Sequence, residues 1–159
     1  MTKEAVQSAV RNWLSFRNWR AKFHPERGYF EIGIMLDCTL SKVRLILDAQ
    51  NGGCLVYVIP QLSCPQDRMQ ETARYLTLVN FGLVDGNFEM RMRSGDIRYK
   101  CFVNCDGLSM LPTTLIDSTV RAACSTFRKY ANGLARVVLM SSDANQEVRE
   151  IEPSQALIC

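Results

Sequence analysis

The sequence predicts an α+β protein: one antiparallel five-stranded sheet with three helices, in the order α-β-β-β-α-β-β-α. Three observations predict it. Segments with apolar residues every three or four positions alternate with short runs of period two. Asn51-Gly52-Gly53 and Ser94-Gly95-Asp96 place hairpin turns between consecutive strand-like runs, which makes the strands antiparallel neighbours. The longest periodic run, near the end of the chain, has the broad apolar stripe of a helix that packs on a sheet.

The first element is a helix over Thr2 to about Phe16. Val6, Ala9, Val10, Trp13 and Phe16 recur at helical spacing, and Thr2 ahead of Lys3-Glu4 suits an N-terminal cap. From Arg11 to Arg27 bases interleave with Trp13, Phe16, Trp19 and Phe23. Such a pattern suits a single-strand nucleic-acid platform, but the rings continue the apolar stripe, so core aromatics beside solvated bases is the preferred reading. His24-Pro25-Glu26-Arg27-Gly28 is a turn.

Three strands follow. Tyr29–Asp37 sets Phe30, Ile32, Ile34 and Leu36 on one face, and Lys42–Ala49 does the same with Val43, Leu45, Leu47 and Ala49. Cys54–Ile59 is β-branched and apolar. Gly52-Gly53 lacks the frame of a phosphate-binding loop and reads as a turn.

Ser63 and Gln66 have capping-box spacing ahead of a second helix, whose buried face is Met69, Thr72, Ala73, Leu76, Val79 and Asn80. Asp67, Arg68, Glu71 and Arg74 face outward. Gly82 and Asp85-Gly86 end this helix. A hairpin follows, with Phe88, Met90 and Met92 alternating with Glu89, Arg91 and Arg93. With Gly95-Asp96 as the central pair of a type II′ turn, Met92 faces Tyr99, Met90 faces Cys101 and Phe88 faces Val103. The two-faced character of the hairpin is more secure than this register. Its outer face collects Glu89, Arg91, Arg93, Arg98, Lys100 and Phe102.

The last helix runs from about Thr113 to Leu139. Ile116, Val120, Ala123, Phe127, Tyr130, Leu134 and Val137 form a heptad-like seam, widened by Cys124, Ala131 and Val138. That width suggests apolar surface left for a partner, and Asn132-Gly133 is a point where the helix weakens or ends. Residues 1–140 thus form a single domain, and 141–159 a polar tail that frays or forms a short helix.

Composition narrows the function. The 159 residues carry a net charge of +3. The tail holds four acids and one base, so the body is mildly basic. No clustered basic stripe announces a nucleic-acid binder. No segment has the length of a membrane span, and the N-terminus lacks the apolar run of a secretory signal, so the chain is expected in the cytoplasm. Seven cysteines are odd in number and none forms a C-x-x-C pair; they read as small buried hydrophobes, with Cys159 the one exposed thiol. Neither metal nor other cofactor is expected. The single histidine, His24, has no nucleophile beside it in sequence, and pairing it with Cys101 or Cys105 for catalysis is the least supported reading.

Several of these motifs together resemble the YbjN family of bacterial proteins. The carriers are the Asn80-Phe81 helix exit, Gly86-Asn87-Phe88-Glu89, Gly95-Asp96-Ile97-Arg98-Tyr99-Lys100 and Tyr130-Ala131-Asn132-Gly133-Leu134. Tyr29-Phe30-Glu31 and Tyr57-Val58-Ile59 followed by a proline extend the likeness over about 1–139. Met90-Arg91-Met92-Arg93 departs from it, since relatives often carry acids there. The resemblance implies a fold like that of type III secretion chaperones, which are small α+β homodimers without enzymatic activity, in a family described as sensory transduction regulators. It carries over no catalytic or cofactor residues.

The resulting expectation is a non-enzymatic, chaperone-like or regulatory protein-binding module. It acts as a homodimer on an unidentified protein client, without a membrane. Its contacts come from the last helix, at Cys124, Phe127, Ala131 and Leu134, or from the outer sheet face. The alternative is nucleic-acid or acidic-ligand binding through Arg91, Arg93, Arg98 and Lys100, joined by Arg17, Arg20 and Lys22.

Overall fold

The computed structural model describes residues 1–152. Helix α1 (Lys3–Phe16) leads into strands β1 (Lys22–His24), β2 (Tyr29–Met35), β3 (Lys42–Gln50) and β4 (Gly53–Pro60). A 3-10 turn and helix α2 (Met69–Phe81) cross to β5 (Asn87–Arg91) and β6 (Asp96–Asn104), and α3 (Thr113–Leu139) and α4 (Ala144–Ile151) complete the fold. The strands form a six-stranded sheet in the order β1-β2-β3-β4-β6-β5, with every pairing antiparallel.

The sheet therefore has one strand more than expected. β1 is three residues long and pairs Lys22–Glu31, Phe23–Phe30 and His24–Tyr29. Pro25 cuts it short, leaving no periodicity to read. Among the described residues the helices number four, because 144–151 forms α4. Its N-terminus is capped by Asp143, whose carboxylate accepts from the Gln146 N–H at 3.0 Å.

Antiparallel register puts partner residues on a common face. Phe30, Leu47, Val56 and Cys101 form one row; Ile32, Leu45, Val58, Tyr99 and Phe88 form the next. All of these are buried, because α1, α2 and α3 lie across this face. α4 packs on α2 and α3, away from the sheet.

The aromatics of the N-terminal region serve the core. Trp13 is fully buried, its indole N–H donates to Asp117 Oδ1 at 3.0 Å, and Trp19 meets it edge-on at 5.3 Å. Phe16, assigned to the buried stripe from its spacing, is instead 77% exposed on the last turn of α1, and Leu14 takes the buried place.

The capping box expected at Ser63 and Gln66 does not form. The Ser63 hydroxyl donates to the Ser94 carbonyl at 2.9 Å, and α2 has no side-chain cap. Tyr75, absent from the expected buried face of α2, is one of the most deeply buried side chains, and its hydroxyl donates to the Tyr130 carbonyl at 2.8 Å. Arg68 and Glu71, expected to be solvated, fasten the end of α3 to α4. The Arg68 guanidinium donates to the Val137 carbonyl at 2.8 Å, and Glu71 accepts from the Ala144 N–H at 2.7 Å.

Asn132-Gly133 does not interrupt α3, which runs unbroken to Leu139. Asn132 Oδ1 accepts from the Thr39 amide and hydroxyl at 3.0 and 2.7 Å, tying the β2–β3 loop to the helix. Gly133 makes room for Tyr75, whose hydroxyl oxygen would lie 2.6 Å from a Cβ at that position.

Candidate functional site: the helix-free face of the sheet

Among the described residues, the opposite face of the sheet carries no helix. Its rows are Tyr29, Asp48, Leu55 and Phe102; then Glu31, Ile46, Tyr57, Lys100 and Asn87; then Gly33, Arg44 and Ile59. Glu89 sits across from Arg98, and Arg91 across from Asp96. Leu55, Tyr57 and Ile59 are half-buried by their neighbours alone, and Phe102 is 46% exposed.

The hairpin β5–β6 supplies much of this face. Its two faces are those read from the alternation, but its register differs by four residues along β6. Met90 faces Ile97 and Phe88 faces Tyr99. The connection is a four-residue loop, Met92 to Gly95, rather than a two-residue turn. Gly95 adopts a φ of +72° and its N–H donates to the Arg91 carbonyl at 2.8 Å. The Cys64 N–H then donates to the Gly95 carbonyl at 2.9 Å, fixing the loop against the approach to α2. Met92 and Arg93 thus leave the strand and are exposed in the loop. The shift is even, so every side chain keeps its face. Asn80 sets the start of β5 by donating to the Phe88 carbonyl at 3.0 Å and accepting from the Phe88 N–H at 2.8 Å.

The basic character anticipated for Arg91, Arg93, Arg98 and Lys100 is partly neutralised. Glu89 accepts from Arg98 Nε at 2.7 Å and pairs with Lys100 Nζ. Burial opposes the charge on Glu89, but hydrogen bonds from Lys100, Arg98 and Asn87 outweigh it and hold the carboxyl below its ordinary value. The Arg98 guanidinium also covers the Tyr57 ring, 4.5 Å from its centroid. Arg17, grouped with this face from sequence, lies on the helix side and pairs with Asp117 at 2.6 Å.

Two other ion pairs on the face are loose. Arg44 approaches Glu31 only to 3.7 Å, and Arg91 approaches Asp96 only to 3.9 Å. Both lie beside a notch where the sheet splits. β4 and β6 pair from Gly53–Asn104 as far as Val58–Tyr99, then diverge, and the chains meet again only at the Ser63–Asp96 bridge. The notch is a groove of about 770 Å³. Its apolar lining is Ile59, Pro60, Leu62, Met90 and Ile97; its charged lining is Arg27 from the β1–β2 turn, Arg44 from β3, and Glu89, Arg91, Asp96 and Arg98 from the hairpin. Sequence reasoning does not single out Arg44 and Ile59 as site residues, and it reads Arg27 only as the last base of the Arg11–Arg27 run. The alternation places Arg44 on the outer face, but no pattern in one dimension shows that β4 and β6 part there.

The helix surface proposed for partner contact is absent. Phe127 and Leu134 are fully buried, as is Ala131, and only Cys124 of the four is half-buried. The heptad-like seam is consumed by the chain's own sheet, α1 and α2. Leu139, Met140 and Met35 are exposed elsewhere.

Cys101 and Cys105 do not meet His24. His24 lies on β1 and Cys101 on β6, four strand spacings apart, or about 19 Å. His24 stands 3.1 Å from Glu31 and stacks on Tyr29. Burial pushes the Cys101 thiol up to about 12 and raises that of Cys105, the reverse of what an attacking thiolate needs. Cys159 lies outside the described residues. Among the described residues no three His, Cys, Asp or Glu side chains gather to hold a metal ion, and no helix is long and apolar enough to cross a membrane.

A one-sided antiparallel sheet layered by helices defines an α+β protein whose sheet has a face left open. The same architecture is found in the crystal structure of YbjN from E. coli, described as a proposed transcription regulator. The two superpose with a TM-score of 0.56 over 85% of this chain and 89% of that one, at 9% sequence identity. The chain therefore has the YbjN fold, and at this identity the likeness is one of fold. No family model matches the sequence, and no curated protein matches it.

Proposed function

We propose that the chain is a non-enzymatic protein-binding module of the chaperone-like or regulatory kind, acting as a homodimer in the cytoplasm. The observation that carries this reading is the helix-free sheet face. Leu55 and Phe102 lie on it beside Tyr57, with no covering layer, while every apolar row on the other face is filled. Exposed apolar groups on a flat sheet are a contact surface in waiting. The fold shared with a proposed regulator supports the regulatory half of the reading. Sequestration of Glu89, Arg98 and Lys100 among themselves weighs against a phosphate-binding face.

The dimer is assigned to the Leu55–Phe102 end of this face. Sedimentation equilibrium at micromolar concentration tests it. The wild type is expected as a dimer, and Phe102→Glu as a monomer with an unchanged circular dichroism spectrum. A wild type that stays monomeric throughout refutes the dimer.

A further inference from the structure

We propose that the notch between β4 and β6 docks an acidic peptide segment of another protein, one aliphatic side chain seated on its floor and flanking carboxylates held by Arg27, Arg44 and Arg91. The proposal rests on the protein-binding reading of the sheet face and names the chemistry of the client.

The arginines of the notch are of two kinds. Arg98 is committed: it holds Glu89 at 2.6 Å and covers Tyr57. Arg44 and Arg91 are not. Their side chains are 50% and 70% exposed, and their carboxylate partners lie at 3.7 and 3.9 Å, beyond good hydrogen-bond geometry. Exposed pairs of this kind are worth little, so a ligand carboxylate accepting two parallel N–H bonds displaces them readily. Arg27, in the β1–β2 turn, is exposed and lines the same groove. Three guanidinium groups thus line one aliphatic groove; of the two carboxylates beside them, Glu89 is held by Arg98 and Asp96 lies loosely against Arg91.

The floor decides between classes of acidic partner. Single-stranded nucleic acid needs aromatic rings on which bases stack. The groove offers Ile59, Leu62 and Ile97 instead, with no ring among its lining residues, and Tyr57 on the same face already has Arg98 over it. A Leu- or Ile-sized side chain flanked by Asp or Glu matches both floor and rim. The volume of about 770 Å³ accommodates a short segment rather than a folded surface. Ile59 and Ile97 lie toward the opposite end of the face from Phe102, whereas Arg27 sits in the turn next to Tyr29, which shares a row with Phe102.

Fluorescence anisotropy tests the proposal on the full chain. The probes are fluorescein-labelled peptide pools of mixed Glu and Leu, matching pools of Lys and Leu, and labelled oligodeoxythymidine. Saturable binding of the acidic pool is expected, weakening with salt and falling about tenfold in each of Arg44→Glu and Arg91→Glu, the worth of one charge-assisted hydrogen bond. Arg27→Glu, in a surface turn, gives a third reading should either strand variant misfold. Arg74→Glu on the outer side of α2 is expected to bind as the wild type does. Tighter binding of oligodeoxythymidine than of the acidic pool overturns the proposal, as does acidic binding unaffected by the groove variants. Binding of the Lys–Leu pool alone overturns the acidic assignment and leaves the protein-binding reading standing. Failure of every pool overturns the proposal, and the protein-binding reading is then decided by the sedimentation experiment.

Discussion

Replacing Gly133 by alanine separates two opposed expectations. On helix propensity alone, Gly→Ala inside α3 stabilises by about 1 kcal/mol. The packing predicts the reverse sign. A Cβ at this position lies 2.6 Å from the Tyr75 hydroxyl oxygen and 3.0 Å from Ile151 Cδ1. Tyr75 is fully buried, so its ring has no free volume to enter, and moving it stretches the 2.8 Å hydrogen bond to the Tyr130 carbonyl. Overpacking of this kind costs about 1–3 kcal/mol, and a weakened buried hydrogen bond adds about 1 kcal/mol. Subtracting the propensity gain leaves Gly133→Ala destabilised by about 1–3 kcal/mol. The cycle with Tyr75→Phe identifies the cause. Without the hydroxyl, the nearest atom of the ring is the carbon that bore it, at 3.2 Å, while Ile151 Cδ1 stays at 3.0 Å, so the same alanine is expected to cost clearly less than in the wild type. Urea unfolding of the four proteins, followed by circular dichroism, gives the coupling directly. Gly133→Ala more stable than wild type, or an equal cost in both backgrounds, would refute the reasoning.

Three further outcomes are expected. Asn80→Ala removes both hydrogen bonds that set Phe88 at the start of β5, and urea unfolding should show a loss of about 2 kcal/mol. Glu89→Gln should lower stability at neutral pH by about 1 kcal/mol, discounted for partial exposure of the pair. Because the folded carboxyl is held below its ordinary value, the unfolded chain protonates first as pH falls, so this stabilisation is present above about pH 4 and disappears through the folded value. The gap between wild type and variant should therefore narrow in unfolding curves recorded near pH 3. Finally, burial lifts the Cys124 thiol to about 11 and that of Cys101 to about 12. At pH 8, mapped by mass spectrometry, Cys124 should alkylate about two hundredfold more slowly than a free thiol. Cys101 should react only on unfolding.

Much of the fold is legible in one dimension where a period runs long enough. The two faces of β5–β6 follow from alternation, and α3 from its repeat. The register of that hairpin is not legible, because it depends on whether Gly95 ends a four-residue loop or begins a two-residue turn, and backbone contacts with Cys64 decide that. β1 is hidden by its brevity. α4 is obscured by a polar letter in a core position: Glu147 is 2% exposed only because Arg136 reaches it with Nε at 2.8 Å. The same limit explains the candidate surface on α3. Periodicity shows that Phe127, Ala131 and Leu134 are apolar together, but not whether a partner or the chain's own sheet covers them. The notch was out of reach for a related reason, since its rim comes from three separate hairpin segments.

The strand order carries a mechanical consequence. β1 to β4 form one meander and β5–β6 a second, and the two are joined edge to edge only along β4 and β6. The seam is the longest-range junction in the sheet, and it is already unzipped at one end. A segment lodged there would touch both meanders at once, like a wedge driven into a hinge. Occupancy would then stabilise the folded sheet, raising the melting temperature with the logarithm of the ratio of ligand to its dissociation constant. A segment bound in the seam would in that case be read out as stability of the sheet itself.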